Sequence, residues 1–124
     1  MCGLFGEFGQ DVLRDKAALA AISRSIRHRG PDDDGLASGN GWMLGFRRLA
    51  ILDLSPAGHQ PLFHDDGRYV LVYNGEIYNY LELKAELLAA GEHFRSGTDT
   101  EVLLKLLIRE GAAALPRLNG MFAF

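Results

Sequence analysis

Cys2 is the residue of this chain whose type and position most clearly suggest chemistry. It follows Met1 directly and is the single cysteine. If Met1 is removed, Cys2 carries a thiol of pKa about 8.5 and a free α-amine of pKa about 7.7–8.0. The amine can accept the thiol proton, directly or through one water, and the thiolate can then attack a carbonyl and form a thioester. A small residue that merely follows the initiator methionine is the alternative.

An Asn-Gly pair that follows a predicted strand could stabilise an oxyanion. Acyl transfer passes through a tetrahedral intermediate that needs hydrogen-bond donors, and Asn74 offers its side-chain amide and Gly75 its backbone N–H. Glycine also allows a ligand to approach the backbone closely. The spacing alone leaves a second interpretation open, and slightly favours it: an ordinary Asn-Gly turn between a strand and a helix.

Three charged residues could hold the backbone groups of an amino-acid substrate. The guanidinium of Arg48 matches a carboxylate in bidentate geometry. Glu76 and Asp99 could accept hydrogen bonds from an α-ammonium group. As alternatives, Arg47 and Arg48 could form a solvated strand end. Glu76 could be a surface acid, and Asp99 could be an acid favoured by the dipole in the first turn of a helix.

Composition and charge narrow the functional classes. The 124 residues are 48% hydrophobic and 23% charged, which fits one domain with a hydrophobic core. The net charge of −3 gives no electrostatic basis for binding nucleic acid or an anionic membrane. The sequence has neither a signal peptide at its N-terminus nor an apolar stretch that could span a membrane. A single cysteine cannot form an internal disulfide, so we expect a reducing compartment, the cytoplasm.

No metal or nucleotide site is expected. The four histidines (His28, His59, His64 and His93) form no HxxxH or HxH pattern, and the cysteine belongs to no CxxC pattern. The glycines form neither a GxGxxG motif nor a phosphate-binding loop. If the α-amine of Cys2 does not serve as the base, His28 and His59 are the first candidates to replace it.

Hydrophobic periodicity and turn residues predict the elements that must position these groups. Strands are expected in CGLFGEFG, twice in GWMLGFRRLAILDL with a joint near Gly45 to Arg48, in RYVLVYNGE after an Asp-Gly hairpin turn, and in GMFAF. Helices are expected in three places: DKAALAAISRSIRHRG, with Leu19, Ile22 and Ile26 on one face; Tyr80 to Ala90, with an Asn79–Glu82 capping box; and EVLLKLLIREG, with a Thr98–Glu101 capping box. GPDDDG is expected to be a turn, and SPAGHQPLFHDDG a loop.

The chain stops within an apolar segment, Phe122 to Phe124, that has no turn or polar tail. Because a buried strand needs neighbours on both sides, we expect residues 1–124 to be one domain that is incomplete at its C-terminus. A short edge strand at the end of the chain is the alternative.

Five motifs together carry a family resemblance. They are MCGLFG, RHRGPDDDG, RRLAILD followed by HQPL, NGEIYNY and SGTDTE. The sequence resembles the glutaminase domain of class II glutamine amidotransferases, and within them the branch of glutamine-dependent asparagine synthetases. Each motif is weak alone, but their joint occurrence in order, from Met1 to NGMFAF, is specific.

The resemblance implies an α+β fold of the N-terminal-nucleophile hydrolase type. In this fold two antiparallel β-sheets are sandwiched between helical layers, and the last strands are missing from this chain. It also implies that Cys2 is the nucleophile and its α-amine the base, while Asn74 and Gly75 form the oxyanion hole.

The resemblance assigns the substrate-binding residues as well. Arg48 would bind the glutamine carboxylate, and Glu76 and Asp99 would bind the ammonium group. Backbone groups around Ile51 and Leu52 would line the same pocket. For Arg29, which lies in the RHRGPD motif, we expect a structural role.

The implied activity is hydrolysis of L-glutamine to L-glutamate and ammonia through a Cys2 thioester. The ammonia would pass to a C-terminal, ATP-dependent synthetase domain of the same parent chain, most simply for asparagine synthesis from aspartate. No cofactor is expected in the present domain, whereas ATP and Mg²⁺ are expected in the synthetase domain, and a homodimer is a further expectation. One alternative is a related amidotransferase that amidates a sugar, a peptide or a cell-surface precursor. The other is a non-catalytic module that binds glutamine or a partner protein, against which the position of Cys2 argues.

Overall fold

Helices and antiparallel strands combine in this chain, which confirms the predicted α+β class. A computed structural model describes residues 1–10, 12 and 15–124. The strands of this described part form one sheet of three strands and two sheets of two strands. The elements are, in order, β1 (Gly3–Phe8), α1 (Lys16–Ser25), β2 (Asp33–Gly39), β3 (Trp42–Arg48), β4 (Leu62–Phe63), β5 (Val70–Leu71), β6 (Asn74–Ile77), α2 (Tyr80–Ala89), α3 (Asp99–Glu110) and β7 (Gly120–Ala123).

The three-stranded sheet brings the N-terminus beside the end of β3. β3 is the central strand, and both β1 and β2 pair with it in antiparallel orientation. In this register Gly3 lies opposite Arg47, and Asp33 lies opposite Arg48. Backbone pairing therefore sets the position of Cys2, which directly precedes β1.

The prediction of two strands joined near Gly45 to Arg48 is wrong, because β3 is one unbroken strand. A side chain at Gly45 would clash with the ring of Phe5 on β1, so this glycine serves cross-strand packing and not a turn. The chain reverses instead between β2 and β3, at Asn40 and Gly41. Gly41 has φ +75°, a conformation that favours glycine.

The prediction of a turn at GPDDDG is also wrong in its second half. Asp33, Asp34 and Gly35 are the first residues of β2 and pair with β3. Partners across the sheet outweigh the low strand propensity of aspartate. Asp34 forms an ion pair of 3.1 Å with Arg47, and Asp33 Oδ2 lies 2.7 Å from His59 Nδ1.

Helix α1 exists as predicted, but its buried face differs. Leu19 is buried and packs in a small cluster with Met43 of β3. Ile22, however, is 37% exposed, and the helix ends before Ile26. Ser23 is the second buried residue of α1. Only Leu19 of the three predicted apolar residues is therefore buried within the helix.

The two smaller sheets follow the predictions more closely. β4 and β5 form the hairpin expected from the Asp-Gly pair, and Gly67 in its turn has φ +69°. However, β4 lies within SPAGHQPLFHDDG, which was predicted to be a loop, and the strand predicted in RYVLVYNGE is divided into β5 and the start of β6. The GMFAF strand is present as β7, which pairs antiparallel with β6. In that pair Asn74 lies opposite Ala123, and Gly75 lies opposite Phe122.

The main hydrophobic core lies around α2 and α3, both of which were predicted. Several of its most buried members come from α3, where Val102 and Leu103 have no exposed surface and Leu106 is 1% exposed. Further core residues come from β5, from the segment around β6 and from α2: Leu71, Tyr73, Ile77, Leu83 and Leu87. Within the described part of the chain, no helix has both the length and the apolar character needed to cross a membrane.

One of the two predicted capping boxes is half formed, and the other is absent. The Thr98 hydroxyl accepts a hydrogen bond from Glu101 N, but the Glu101 carboxylate binds the N–H groups of Arg95 and Ser96 instead of closing the box. The prediction of an Asn79–Glu82 capping box is wrong. The Asn79 amide bonds to the backbone that follows α3, at residues 117 and 119, and makes no cap to α2.

Candidate active site

A cavity of about 240 Å³ lies where the ends of several elements meet. Its wall comes from the N-terminus, the end of β3 with the loop that follows, β6, and the start of α3. All of the residues predicted to act in chemistry or substrate binding line it: Cys2, Arg48, Ile51, Leu52, Asn74, Gly75, Glu76 and Asp99. A second cavity of about 590 Å³, between α1 and β2, has a mostly apolar wall and contains none of these residues. The smaller cavity is therefore the candidate active site.

The thiol of Cys2 is held against the end of β3. Its Sγ accepts a hydrogen bond from Leu49 N at 3.3 Å and lies 3.6 Å from Leu49 O. The Cys2 carbonyl accepts two hydrogen bonds from Arg29, from Nε and Nη2, each of 3.2 Å. These contacts give Arg29 a structural task of the kind expected from the sequence.

Met1 lines the same cavity as Cys2 and is 70% exposed. In the chain that carries it, the nitrogen of Cys2 is a peptide amide and not an amine. A peptide amide has no basicity near neutral pH, so the base predicted from the sequence exists only after Met1 is removed.

Arg48 presents its guanidinium to the cavity from a buried position. Nη1 donates a hydrogen bond of 2.9 Å to the carbonyl of Ser55, and Nη2 donates to the carbonyl of Asp53. Gly58 lies against the guanidinium, since a side chain at that position would clash with Nη2. A guanidinium has five N–H donors, and these carbonyls take two of them. Among the contacts of the described residues, donors therefore remain for a bidentate carboxylate.

Asp99 is held at the start of α3 by two hydrogen-bond donors. Its Oδ2 accepts from the hydroxyl of Tyr73 at 2.7 Å and from Ile77 N at 3.0 Å. Tyr73 is itself buried, and burial, followed by the bond to Asp99, raises the pKa of its hydroxyl well above the ordinary value. Tyr73 therefore keeps its proton and remains a donor to Asp99.

The Asn-Gly pair lies within β6 and is not a turn, so the turn interpretation is excluded. A side chain at Gly75 would lie 2.6 Å from the Phe122 Cα of the paired strand, which makes glycine a steric requirement there. Gln60, which is buried, holds the residue that precedes this strand. Its Oε1 accepts a hydrogen bond of 2.7 Å from Tyr73 N, directly before Asn74.

Comparison with known proteins identifies the family. The sequence profile of the glutamine amidotransferase domain matches residues 1–124. The chain belongs to the glutamine amidotransferase domain family.

Its curated relatives include long asparagine synthetases. It is 43% identical to glutamine-hydrolyzing asparagine synthetase 1 of Bacillus subtilis, and 40% identical to asparagine synthetase B of Escherichia coli. It is 42% identical to a putative glutamine-hydrolyzing asparagine synthetase of Methanocaldococcus jannaschii. Each match covers 100% of this chain but only 20%, 22% and 27% of the Bacillus, Escherichia and Methanocaldococcus proteins, respectively. This glutamine amidotransferase domain thus spans about a fifth to a quarter of the relatives' length.

Among the cavity-lining residues that were not singled out in the sequence, two make hydrogen bonds that hold the site together. They are Tyr73, which contacts Asp99, and Gln60, which anchors β6. Tyr73 directly precedes the NGEIYNY motif and Gln60 belongs to HQPL, so proximity to the motifs was the available signal.

The alternative bases are not at the cavity of the amidotransferase domain. Neither His28 nor His59 lines it, and His59 instead contacts Asp33 on β2. Among the described residues, no group of three or more histidine, cysteine or acidic side chains is arranged to hold a metal ion.

Proposed function

We propose that this domain hydrolyses L-glutamine to L-glutamate and ammonia with Cys2 as the nucleophile. One observation carries the proposal: a thiol, an arginine, an Asn-Gly pair and two carboxylates from distant parts of the chain line one cavity. Its volume, about 240 Å³, suits a small amino acid. These groups are the ones that amide hydrolysis of glutamine requires.

The reaction begins once Met1 has been removed. The α-amine of Cys2 takes the thiol proton, and the thiolate attacks the carbon of the glutamine side-chain amide. The tetrahedral intermediate collapses as the α-ammonium group of Cys2 returns the proton to the leaving nitrogen of the substrate amide. Ammonia departs, and a thioester between Cys2 and the glutamyl group remains. Water, activated by the same amine, then attacks the thioester, and glutamate leaves with the thiol restored.

The oxyanion of both tetrahedral intermediates is assigned to Asn74 and Gly75. The Asn74 side-chain amide and the Gly75 N–H act as donors to the developing negative charge. The anchoring of β6 by Gln60 and by its pairing with β7 supports this assignment, since an oxyanion hole works only when its donors are preorganised.

The amino-acid end of glutamine is assigned to the charged residues that line the cavity. Arg48 binds the α-carboxylate with the N–H groups that it does not donate to the loop carbonyls. Asp99 and Glu76 accept from the α-ammonium, with Asp99 held in place by Tyr73. Backbone groups around Ile51 and Leu52 complete the pocket.

The destination of the ammonia is proposed from the relatives. The parent chain would carry an ATP- and Mg²⁺-dependent synthetase domain in which ammonia attacks the acyl-adenylate of aspartate. The complete domain would adopt the N-terminal-nucleophile hydrolase fold, with two antiparallel sheets between helical layers. Glutamine-dependent asparagine formation, assayed with the natural full-length protein, tests the first of these proposals.

Release of ammonia from glutamine by the natural full-length protein tests the hydrolytic activity directly. Cys2→Ala should abolish it, because alanine has no nucleophile. The same variant should still bind glutamine, since Arg48, Glu76 and Asp99 are intact, and should still use free ammonia for synthesis. Ammonia release at the original rate by Cys2→Ala would show that Cys2 is not the nucleophile.

A further inference from the structure

Asp53 contacts both sides of the proposed substrate clamp. Its main-chain carbonyl accepts a hydrogen bond from Arg48 Nη2. Its carboxylate accepts a hydrogen bond of 3.0 Å from Gly97 N, two residues before Asp99. Arg48 and Asp99 lie on separate elements, the end of β3 and the start of α3, so Asp53 joins the segments that carry them.

The first carboxylate oxygen of Asp53 shapes the loop that receives Arg48. Oδ1 accepts a hydrogen bond of 2.9 Å from Ser55 N, which closes a local turn between the side chain and the backbone two residues on. In this turn the carbonyls of Asp53 and Ser55 both face Arg48, and each accepts from one of its terminal nitrogens. The guanidinium is thus held at two points.

The second carboxylate oxygen holds the segment that leads into α3. Oδ2 binds Gly97 N from the loop side, while Glu101 binds the same segment from the helix side, with Oε2 2.8 Å from Ser96 N. The hydrogen bonds from Ser55 and Gly97 lower the pKa of the Asp53 carboxyl to about 2. At neutral pH it is therefore ionised, and both oxygens act as acceptors.

We propose that Asp53 is a positioning residue that sets the separation between Arg48 and Asp99. The proposal rests on the proposed function, in which these residues bind the carboxylate and the ammonium of glutamine. Both charged groups of the substrate are attached to one carbon. They can be bound together only if their partners are correctly spaced, and Asp53, which lines the same cavity, connects the two segments that carry those partners.

Asp53→Asn in the natural full-length protein tests the link between the two segments. Asparagine has one acceptor oxygen, so one of the two N–H contacts is lost whichever way the amide turns. KM for glutamine should rise about tenfold while kcat changes by less than about threefold. Asp66→Asn is the matched control, because Asp66 Oδ1 also accepts from the N–H two residues on, Arg68 N at 2.9 Å, but outside the cavity. It should change neither constant.

A ligand comparison separates positioning from a general loss of structure. L-Glutamate and glutarate differ in the α-amine, and their dissociation constants can be measured with the Cys2→Ala protein. Asp53→Asn, added to that protein, should weaken glutamate binding several-fold more than glutarate binding, because only glutamate uses both sides of the clamp. The ratio of the two constants does not depend on the fraction of protein that is folded.

Two results would overturn the role of Asp53: a KM that matches the Asp66→Asn control, or an equal loss of affinity for glutamate and glutarate. Failure of the unsubstituted protein to release ammonia would instead overturn the proposed function. The binding comparison would still report on Asp53 in that case.

Discussion

Arg47 and Arg48 are adjacent in β3, and their side chains lie on opposite faces of its sheet. Arg48 lines the candidate active site, whereas Arg47 pairs with Asp34 beside a different cavity. This arrangement follows from the alternation of side chains along a strand. It provides a matched pair of positions for testing the carboxylate clamp.

Arg48→Lys should raise KM for glutamine by about 10- to 100-fold, with a smaller effect on kcat. Lysine keeps the charge but has no planar fork for a carboxylate and cannot span the two loop carbonyls. Arg47→Lys is the control and should leave both constants nearly unchanged, since a lysine can still pair with Asp34. Steady-state kinetics of both variants would decide, and equal effects at the two positions would remove Arg48 from the clamp.

Asn74→Ala should lower kcat by about 10²–10³-fold, with a smaller effect on KM. The lost donor acts mainly on the tetrahedral intermediate, in which the charge on oxygen develops. Ammonia release measured over a range of glutamine concentrations separates the two constants. A change confined to KM would reassign Asn74 to binding of the ground state.

Protein that retains Met1 should be inactive as a glutaminase. Its Cys2 nitrogen is an amide that cannot accept the thiol proton, and Met1 lines the cavity that the substrate must enter. Intact mass spectrometry and an ammonia-release assay on one sample would compare the processed fraction with the activity. Full turnover by wholly unprocessed protein would require another base, although neither His28 nor His59 lines the cavity.

Tyr73→Phe should weaken glutamine binding about three- to tenfold, because Asp99 loses one of its two hydrogen-bond donors. Stability should also fall, by about 1–2 kcal/mol, since a buried carboxylate is left with fewer partners. Tyr78→Phe is the control, because Tyr78 is 56% exposed. Equal KM values for the two variants would exclude a role for the Tyr73 hydroxyl in positioning Asp99.

Tyr73 should also cause the free energy of unfolding to fall at alkaline pH. The pKa of Tyr73 is raised in the folded chain, so above pH of about 10 the unfolded chain binds fewer protons at this residue than the folded one does. The contribution of Tyr73 to stability is therefore fully present below that pH and is lost as the pH rises further. Chemical denaturation near neutral pH and in alkali should show a loss in the unsubstituted protein that is smaller in Tyr73→Phe.

The residues that line the candidate site could be singled out in the sequence because each belongs to one of the short motifs, although their chemical roles remain predictions. The sequence could also indicate that strands and helices would bring the motifs together. Contacts between the motifs were harder to predict from the sequence. Neither the bond from Tyr73 to Asp99 nor the bond from Asp53 to Gly97 follows from spacing, because both join segments that are distant along the chain.

The errors in the fold have a common physical cause. Turn and cap signals describe local preference, and in this chain tertiary partners override several of them. Asp33 and Asp34 of GPDDDG lie in β2, where His59 and Arg47 are their partners, and Gly45 lies in a strand because Phe5 needs the space. Asn79 forms bonds with the backbone near β7 instead of capping α2.

The pairing of β1 with β3 also bears on the order of events during synthesis. The Met1–Cys2 bond lies one residue from the first pair of that ladder, and Arg29 binds the Cys2 carbonyl beside it. An aminopeptidase needs an accessible, extended end of the chain, which the nascent polypeptide offers before β3 has left the ribosome. The methionine should therefore be removed cotranslationally, so that the nucleophile is mature before the strand that will hold it exists.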